Sequence, residues 1–581
     1  MTRSPRARVC AESRDRPLRI LIVSNLYPPH VVGGAEIVAQ RQAQALRQRG
    51  HSVAVFAGCN SSPDIPEESL DVEVVEGIRV YRTPMHSLDT ADNFHIPTTA
   101  TRLSSVLLAE SPDIVHFHNV IGLGASLIPL ASGMGYRTVV TLHDYWGFCY
   151  RSTAMRSDGS ECHSPQECAS ACQPAIKLTG NAMYVPMRLR RDYVAWCLES
   201  ADLLICPSET LYRAYRRADI GSPHKLVVQS NGIDLEAVRV RKARAPERVR
   251  FTCVAYLGEH KGIPDLLAAA RRLAANRTTA GKWTLTLVGE GHLQGQVEEA
   301  IKSGPLARVV RYLGRIPRER VFKVMDETDV VVLPSRWPEN EPVTLLEAIA
   351  AGRAQIATDL GGMRDLVDPG QSGELAAPGN PASLAKVMAS YVLDPGKSVR
   401  HGAYNLRRRN RFSETAVIAA LEEHYRQVLA KPREPPTAAL VLCGGDWPVV
   451  QTAATCHSLH KLQHPQQKLR LVWHQWLDNH AKKQAKLYWH WSASPQPVVI
   501  RDMLRMGIPV LGPGYGPYIS AVSRLFGAAF TYETYLDAAI ALCVLPFDAE
   551  ALAHLRRHAG MAADFLAQKA GPESFHLPLA Q

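Results

Sequence analysis

"PSRWPENEPVTLLEAIAAG" (residues 334–352) sets three glutamates at the mouth of an apolar helix: Glu339, Glu341 and Glu347. Pro342 suits the first helical turn, where its missing N–H is not needed. The free N–H groups of such a turn favour anions. Carboxylates placed there are either solvated caps or groups reaching for a ligand. The flanking runs "TDVVVLPS" and "RAQIATDLGG" read as buried strands. Strand, loop, helix and strand make a βαβ unit, which implies a parallel sheet with ligands at the carboxyl ends of its strands.

Working outward, the same pattern repeats. "RFTCVAYLGEHKG", "WTLTLVGEG" and "VVRYLGRIP" precede the quoted stretch as strands, and "SETAVIAALEEHYRQVLA" (413–430) closes this half as a helix. A basic segment, "VRVRKARAPERVR" (238–250), separates it from an earlier series. There, "LRILIVSN" is a strand, "LYPPHVVGGAE" a loop and "EIVAQRQAQALRQRG" a helix. "HSVAVFAG", "PDIVHFHN", "YRTVVTLHD", "ADLLICPS" and "KLVVQSNGID" follow as strands. The fold class is therefore α/β: two Rossmann-like domains facing a cleft, plus a third, smaller α/β domain. The boundaries are a disordered tail at 1–17, an N-terminal Rossmann-like domain at 18–237, a second Rossmann-like domain at 250–430 and the third domain at 438–581.

The 581 residues carry a formal net charge of +11, which favours anionic partners. No zinc-finger spacing or aromatic-basic RNA-binding signature is present, so nucleic acid is not expected. No apolar run reaches the ~18–20 residues of a membrane span. The polar, Arg-rich start lacks the apolar core of a signal peptide, which points to a cytoplasmic protein. Basic clusters at 187–193 and 211–219 could touch anionic lipid, although a solvated helix face is the simpler reading.

Several residues fall at strand ends beside the expected cleft. Gly33 and Gly34 lie between a strand and a helix, where backbone can approach a ligand closely. His143 follows the strand "RTVV", and Lys261 follows a strand of the second half, beside Gly262. A lysine there can neutralise a phosphate. The free N–H groups from Glu341 to Thr344, those of Glu341, Val343 and Thr344 around Pro342, can hold a diphosphate. Glu347 can accept from a ribose diol, and Glu339, with Asn340 beside it, can reach sugar hydroxyls. That arrangement suits a nucleotide sugar.

With these residues in view, residues 18 to 430 resemble the retaining, GT-B-fold glycosyltransferases of family four. The matching motifs are Gly33-Gly34-Ala35-Glu36, His143-Asp144, Pro207-Ser208, Asn231-Gly232-Ile233-Asp234, Lys261-Gly262, Gly289-Glu290-Gly291, Pro334-Ser335, the Glu339–Glu347 pair and Gly361-Gly362. The resemblance implies that Glu339 contacts the donor sugar, Glu347 the ribose and Lys261 the diphosphate. His143 then lies near the transferred sugar, and Gly314, Arg315 and Ile316 near the base. It implies a nucleotide-sugar donor and a glycan or lipid-linked acceptor, with work at the inner face of the membrane. Ala255 and Tyr256 stand where the family often has Gly-Arg, so diphosphate binding leans on Lys261 or another cation. No Asp-x-Asp motif is present, so no catalytic metal is expected. The alternative reading is a GT-B carbohydrate- or nucleotide-binding scaffold without transfer.

Cys149, Cys162, Cys168 and Cys172 cluster in an insert (149–172) just after His143. Four thiols in a cytosolic loop suggest a structural zinc; free thiols and, in a reducing compartment, disulfides are the alternatives. In the last domain, "PVVIRDMLRMGIPVLGPGYGP" can be laid on "PVTLLEAIAAGRAQIATDLGG", placing Asp502 at Glu347 and Ser494 at Glu339. This suggests a degenerate, non-catalytic copy of a donor half.

Overall fold

The computed structural model describes residues 16–431, apart from parts of 61–69, 86–95, 157–183 and 241–244, and beyond them the strands between 439 and 532. The N-terminal half is built on β1 (Arg19–Ser24), β2 (Ser52–Asn60), β3 (Asp71–Val75), β4 (Ile78–Met85), β5 (Ile114–Phe117) and β6 (Arg137–Thr141). A small antiparallel pair, β7 (Ala175–Lys177) and β8 (Tyr184–Pro186), interrupts it before β9 (Leu203–Cys206) and β10 (Leu226–Val228). The main sheet runs β10-β9-β6-β5-β1-β2-β4-β3, parallel except for β3. β5 and β6 are buried or nearly so along their length, as parallel strands covered on both faces are.

The β3–β4 hairpin has no counterpart in the sequence reading. Its turn places Glu76 and Gly77 at φ 50° and 78°. Two left-handed central residues match the twist of a hairpin, but Asn-Gly or Asp-Gly is the recognisable signal for it, not Glu-Gly.

The second half contains β11 (Val249–Val254), β12 (Trp283–Val288), β13 (Val310–Tyr312), β14 (Val330–Leu333), β15 (Ala354–Thr358) and β16 (Gly373–Ala376). They form one parallel sheet, β13-β12-β11-β14-β15-β16. This is the Rossmann strand order, with its crevice where β11 and β14 diverge. In the first sheet the equivalent reversal lies between β1 and β5. The loops after these four strands carry most of the candidate residues.

The sequence boundary at 430 needs one correction. The helix Glu414–Ala430 leaves the second half and packs on the first. Ile418, Leu421, Tyr425 and Val428 share a buried core with Leu18, Ile20, Ile22, Val55 and Val139. Each such burial contributes about 1.5–3 kcal/mol. Glu422 pairs with Arg49 (2.7 Å) and with His51 (2.9 Å), and Arg41 reaches Glu414 (2.9 Å). An apolar periodicity shows that a helix buries a face; it does not show against which sheet.

Beyond residue 438, β17 (Ala439–Gly444), β18 (Leu469–Trp473), β19 (Leu487–His490), β20 (Val510–Pro513) and β21 (Ala529–Tyr532) form a parallel sheet, β18-β17-β19-β20-β21. That is a doubly wound order. Ser494 and Asp502, with the expected degenerate donor loop, lie outside the described residues.

Candidate active site

The loop after β14 and the loop after β11 meet through their side chains. Glu339 Oε1 accepts from Lys261 Nζ, from Ser335 Oγ (2.7 Å) and from Trp337 Nε1 (2.9 Å). All three donors converge on one oxygen, and among the described residues Oε2 has no partner, which leaves it to a ligand. Burial pushes this carboxyl up, but Lys261 and the two neutral donors outweigh it and hold it below its usual value. Lys261 also lies 5.0 Å from the centroid of the Trp337 ring. Its chain leaves a short 3-10 turn, Glu259–Lys261, and Gly262 follows at φ 68°. A Cβ at Gly262 would stand 1.8 Å from Pro334 O, so only glycine lets these loops touch.

The residues after Glu339 face the other domain. Asn340 Oδ1 accepts from Ser208 Oγ (2.6 Å), and its Nδ2 donates to His143 O (3.0 Å) and Leu142 O (3.3 Å). Glu341 Oε2 accepts from Asn231 N (2.7 Å). Both side chains are buried, and burial raises the Glu341 carboxyl to about 7. These two side chains clasp the domains. The Gly361–Gly362 pair holds the same segment from beneath: Gly362 N donates to Glu339 O (2.6 Å), and a Cβ on Gly362 would lie 1.6 Å from Asn340 O.

Pro342 is the N-cap of the helix Val343–Ala350, one step earlier than the first helical turn. Thr344 Oγ1 donates to Val254 O (3.0 Å), tying the helix start to the end of β11. Glu347 is buried just over one turn in. Across the cleft, a Cβ on Gly34 would lie 3.8 Å from Val343 Cγ2. Gly34 opens the helix Gly34–Gln48, while Gly33 N donates to Glu36 Oε2 (2.8 Å). Two helix amino ends therefore approach one another, and their unpaired N–H groups suit an anion.

His143 is half-buried at the end of β6, and burial lowers it to about 4. Gly314, Arg315 and Ile316 follow β13; Arg315 pairs with Glu290 (2.8 Å) on the exposed surface. Sequence reasoning missed Trp337, the buried His116 and His118, and Tyr425. His116 Nδ1 bonds Tyr425 Oη (2.7 Å), a contact 309 residues apart in the chain. No local signal announces it.

Cys149, Cys162, Cys168 and Cys172 are unbridged and line one small cavity of about 20 Å³ with Phe148, Met155 and Met187. The Cys168 thiol is raised, chiefly by its hydrogen bond with Cys162 and then by burial. Among the described residues, no three His, Cys, Asp or Glu side chains are grouped to hold a metal ion. The insert also reaches the second half, where Arg364 meets Glu161 (3.5 Å). The basic cluster at 187–193 is partly absorbed by the fold: Arg190 is buried, and Arg191 donates to Pro165 O (2.7 Å). No helix among the described residues is long and apolar enough to cross a membrane.

Comparison with known proteins adds to this geometry. A family model described as Glycosyltransferase Family 4 matches residues 32–237, and one described as Glycosyl transferases group 1 matches residues 236–416. A glycogen synthase of Mycobacterium tuberculosis is 28% identical over 423 residues, covering 72% of this chain and 97% of its own length. A phosphatidyl-myo-inositol mannosyltransferase of Mycolicibacterium smegmatis is 23% identical, covering 69% of this chain and 92% of its own. Among solved structures, Anabaena HepE in complex with UDP superposes with a TM-score of 0.51 at 19% identity, over 71% of this chain and 100% of its own. Sucrose-phosphate synthase of Thermosynechococcus elongatus reaches 0.52 at 19% identity, over 71% and 99%.

Proposed function

We propose a reaction course from one premise: this chain belongs to the family 4 glycosyltransferases and is a nucleotide-sugar-dependent glycosyltransferase of the GT-B fold. The donor lies in the cleft between the two sheets. Its diphosphate rests between the helix ends at Gly34 and Val343, with Lys261 as the countercharge. Glu339 Oε2 takes a sugar hydroxyl, and Glu347 takes the ribose. The base lies toward Gly314–Ile316. The observation that carries this reading is the Lys261–Glu339 pair, a cation beside a carboxylate with one oxygen uncommitted among the described residues.

As the bond to the sugar breaks, negative charge grows on the leaving diphosphate. Lys261 and the helix N–H groups stabilise that charge without rearranging. The acceptor hydroxyl attacks from the leaving-group face, so configuration is retained, and no metal takes part. The acceptor is a glycan or lipid-linked saccharide, met in the cytoplasm at the inner membrane face. A structural zinc in the cysteine insert is a separate proposal. Metal analysis tests it: about one equivalent per chain supports it, and a metal-free protein with reduced thiols removes it.

The test of function is a panel of nucleotide sugars, scored by thermal shift and then by release of nucleoside diphosphate with and without saccharide acceptors. Release that one donor supports and an acceptor accelerates is expected. Donor binding with no release under any acceptor would favour the binding-scaffold reading.

A further inference from the structure

We propose that His118 is a positioning residue that sets the ring tautomer of His143, leaving His143 as a hydrogen-bond donor through Nδ1–H. The proposal rests on the reading that His143 lies beside the transferred sugar. His118 follows β5 at the strand reversal of the first sheet, and its N–H donates to Val23 O (2.8 Å). Its ring is fully buried. On one side it packs on His116, with ring centroids 4.5 Å apart; on the other it packs on His143, at 5.1 Å. His116 is itself tied at both nitrogens, to Tyr425 Oη (2.7 Å) and Thr141 Oγ1 (2.8 Å). The His118 ring is therefore walled in.

Its two nitrogens differ. Nδ1 lies 2.9 Å from His143 Nε2, while Nε2 is buried with no partner among the described residues. One ring must donate to the other. If His143 donated, the single proton of neutral His118 would sit on Nε2 as a buried N–H without an acceptor. Buried orphan N–H groups are rare in folded proteins; an unpaired acceptor is better tolerated. A charged His118 is opposed by complete burial against two other imidazoles. His118 therefore carries its proton on Nδ1 and donates it to His143 Nε2. His143 Nε2 is then an acceptor, so its proton is on Nδ1. That nitrogen has no partner among the described residues and can donate to a sugar hydroxyl or a phosphate oxygen. In this state it is not a general base.

Side-chain chemistry supplies the test. The amide nitrogen of Asn stands near the Nδ1 position of His, and that of Gln near the Nε2 position. Nitrogen-15 NMR of histidine-labelled protein should show His143 protonated at Nδ1. His118→Leu should lower kcat at saturating donor by about tenfold or more, as when an orienting partner of a functional histidine is lost. His118→Asn should recover most of that loss, and His118→Gln should not. If the Leu variant fails to fold, the Asn and Gln variants and the wild-type spectrum still decide. His143 protonated at Nε2, or equal recovery by Asn and Gln, would overturn the proposal. A His143→Ala control separates it from its premise. Unchanged turnover there removes His143 from the reaction; a loss there with none in His118→Leu overturns the positioning role alone.

Discussion

Lys261→Met keeps the stem of the side chain and removes its charge. In the folded protein this leaves Glu339, with 12% of its side chain exposed, facing only Ser335 and Trp337 as donors. Removing one partner of a buried pair costs about 3–5 kcal/mol. The lower end applies here, because two neutral donors remain and Lys261 is itself 19% exposed. The loss has a defined pH dependence. Lys261 holds the Glu339 carboxyl below its usual value. That stabilisation is fully present above the unfolded carboxyl pKa, about 4.3, and is lost as pH falls through the folded value. The stability gap between wild type and variant should therefore be wide at pH 7 and close progressively below about pH 4.3, read by denaturant titration at a series of pH values. Turnover should respond separately. Loss of one preorganised group opposite developing charge costs about 10²–10³ in kcat. If turnover survives, another cation carries the role, and Arg315, paired with Glu290 at the exposed surface, is the first to test. A gap that stays constant across pH, with kcat within about threefold of wild type at saturating donor, would refute the reasoning.

Glu347→Ala should weaken donor binding by about 1.5–3 kcal/mol in calorimetry, and unchanged affinity would remove the residue from the site. Gly362→Ala should push the Glu339–Asn340 backbone away, because its Cβ would lie 1.6 Å from Asn340 O. A lower melting temperature and a higher donor KM are both expected, and neither changing would mean that the close approach is not needed. Glu341→Gln keeps an oxygen for Asn231 N and cannot ionise. The raised carboxyl makes wild type lose stability as pH rises from about 4.3 toward 7, so the variant should gain on wild type over that window by up to about 3 kcal/mol. A stability difference independent of pH there would show that Glu341 is not protonated in the fold.

Apart from β3, β4 and β16, the strands of the two main sheets were legible because parallel strands buried on both faces leave apolar runs, such as "RILIVS" and "VVVL". The loops after them were legible because Gly, Pro and polar residues end those runs. What those loops do to one another was not. The backbone N–H groups around Glu341 read as a diphosphate cradle, but nothing local told that the side chains of Asn340 and Glu341 turn toward Ser208 and Asn231, more than 100 residues away. Direction around a loop is set by tertiary packing, not by sequence spacing. The same holds for Arg190, which reads as part of an exposed basic face and is buried. It holds too for the helix Glu414–Ala430, whose buried face belongs to the first domain. The histidines at 116 and 118 looked like the polar end of a strand. Their partners come from β6, from its following loop and from the returning helix, which only the fold brings together.

On the proposed reaction course a nucleoside diphosphate sits between the β11 and β14 loops and the helix end at Gly34. Hydrogen-exchange mass spectrometry with saturating UDP, GDP or ADP tests it most directly. The nucleotide that binds should slow exchange in residues 255–262 and 334–347, with weaker protection at 33–36. Binding that leaves those three segments unchanged and protects another surface would contradict it.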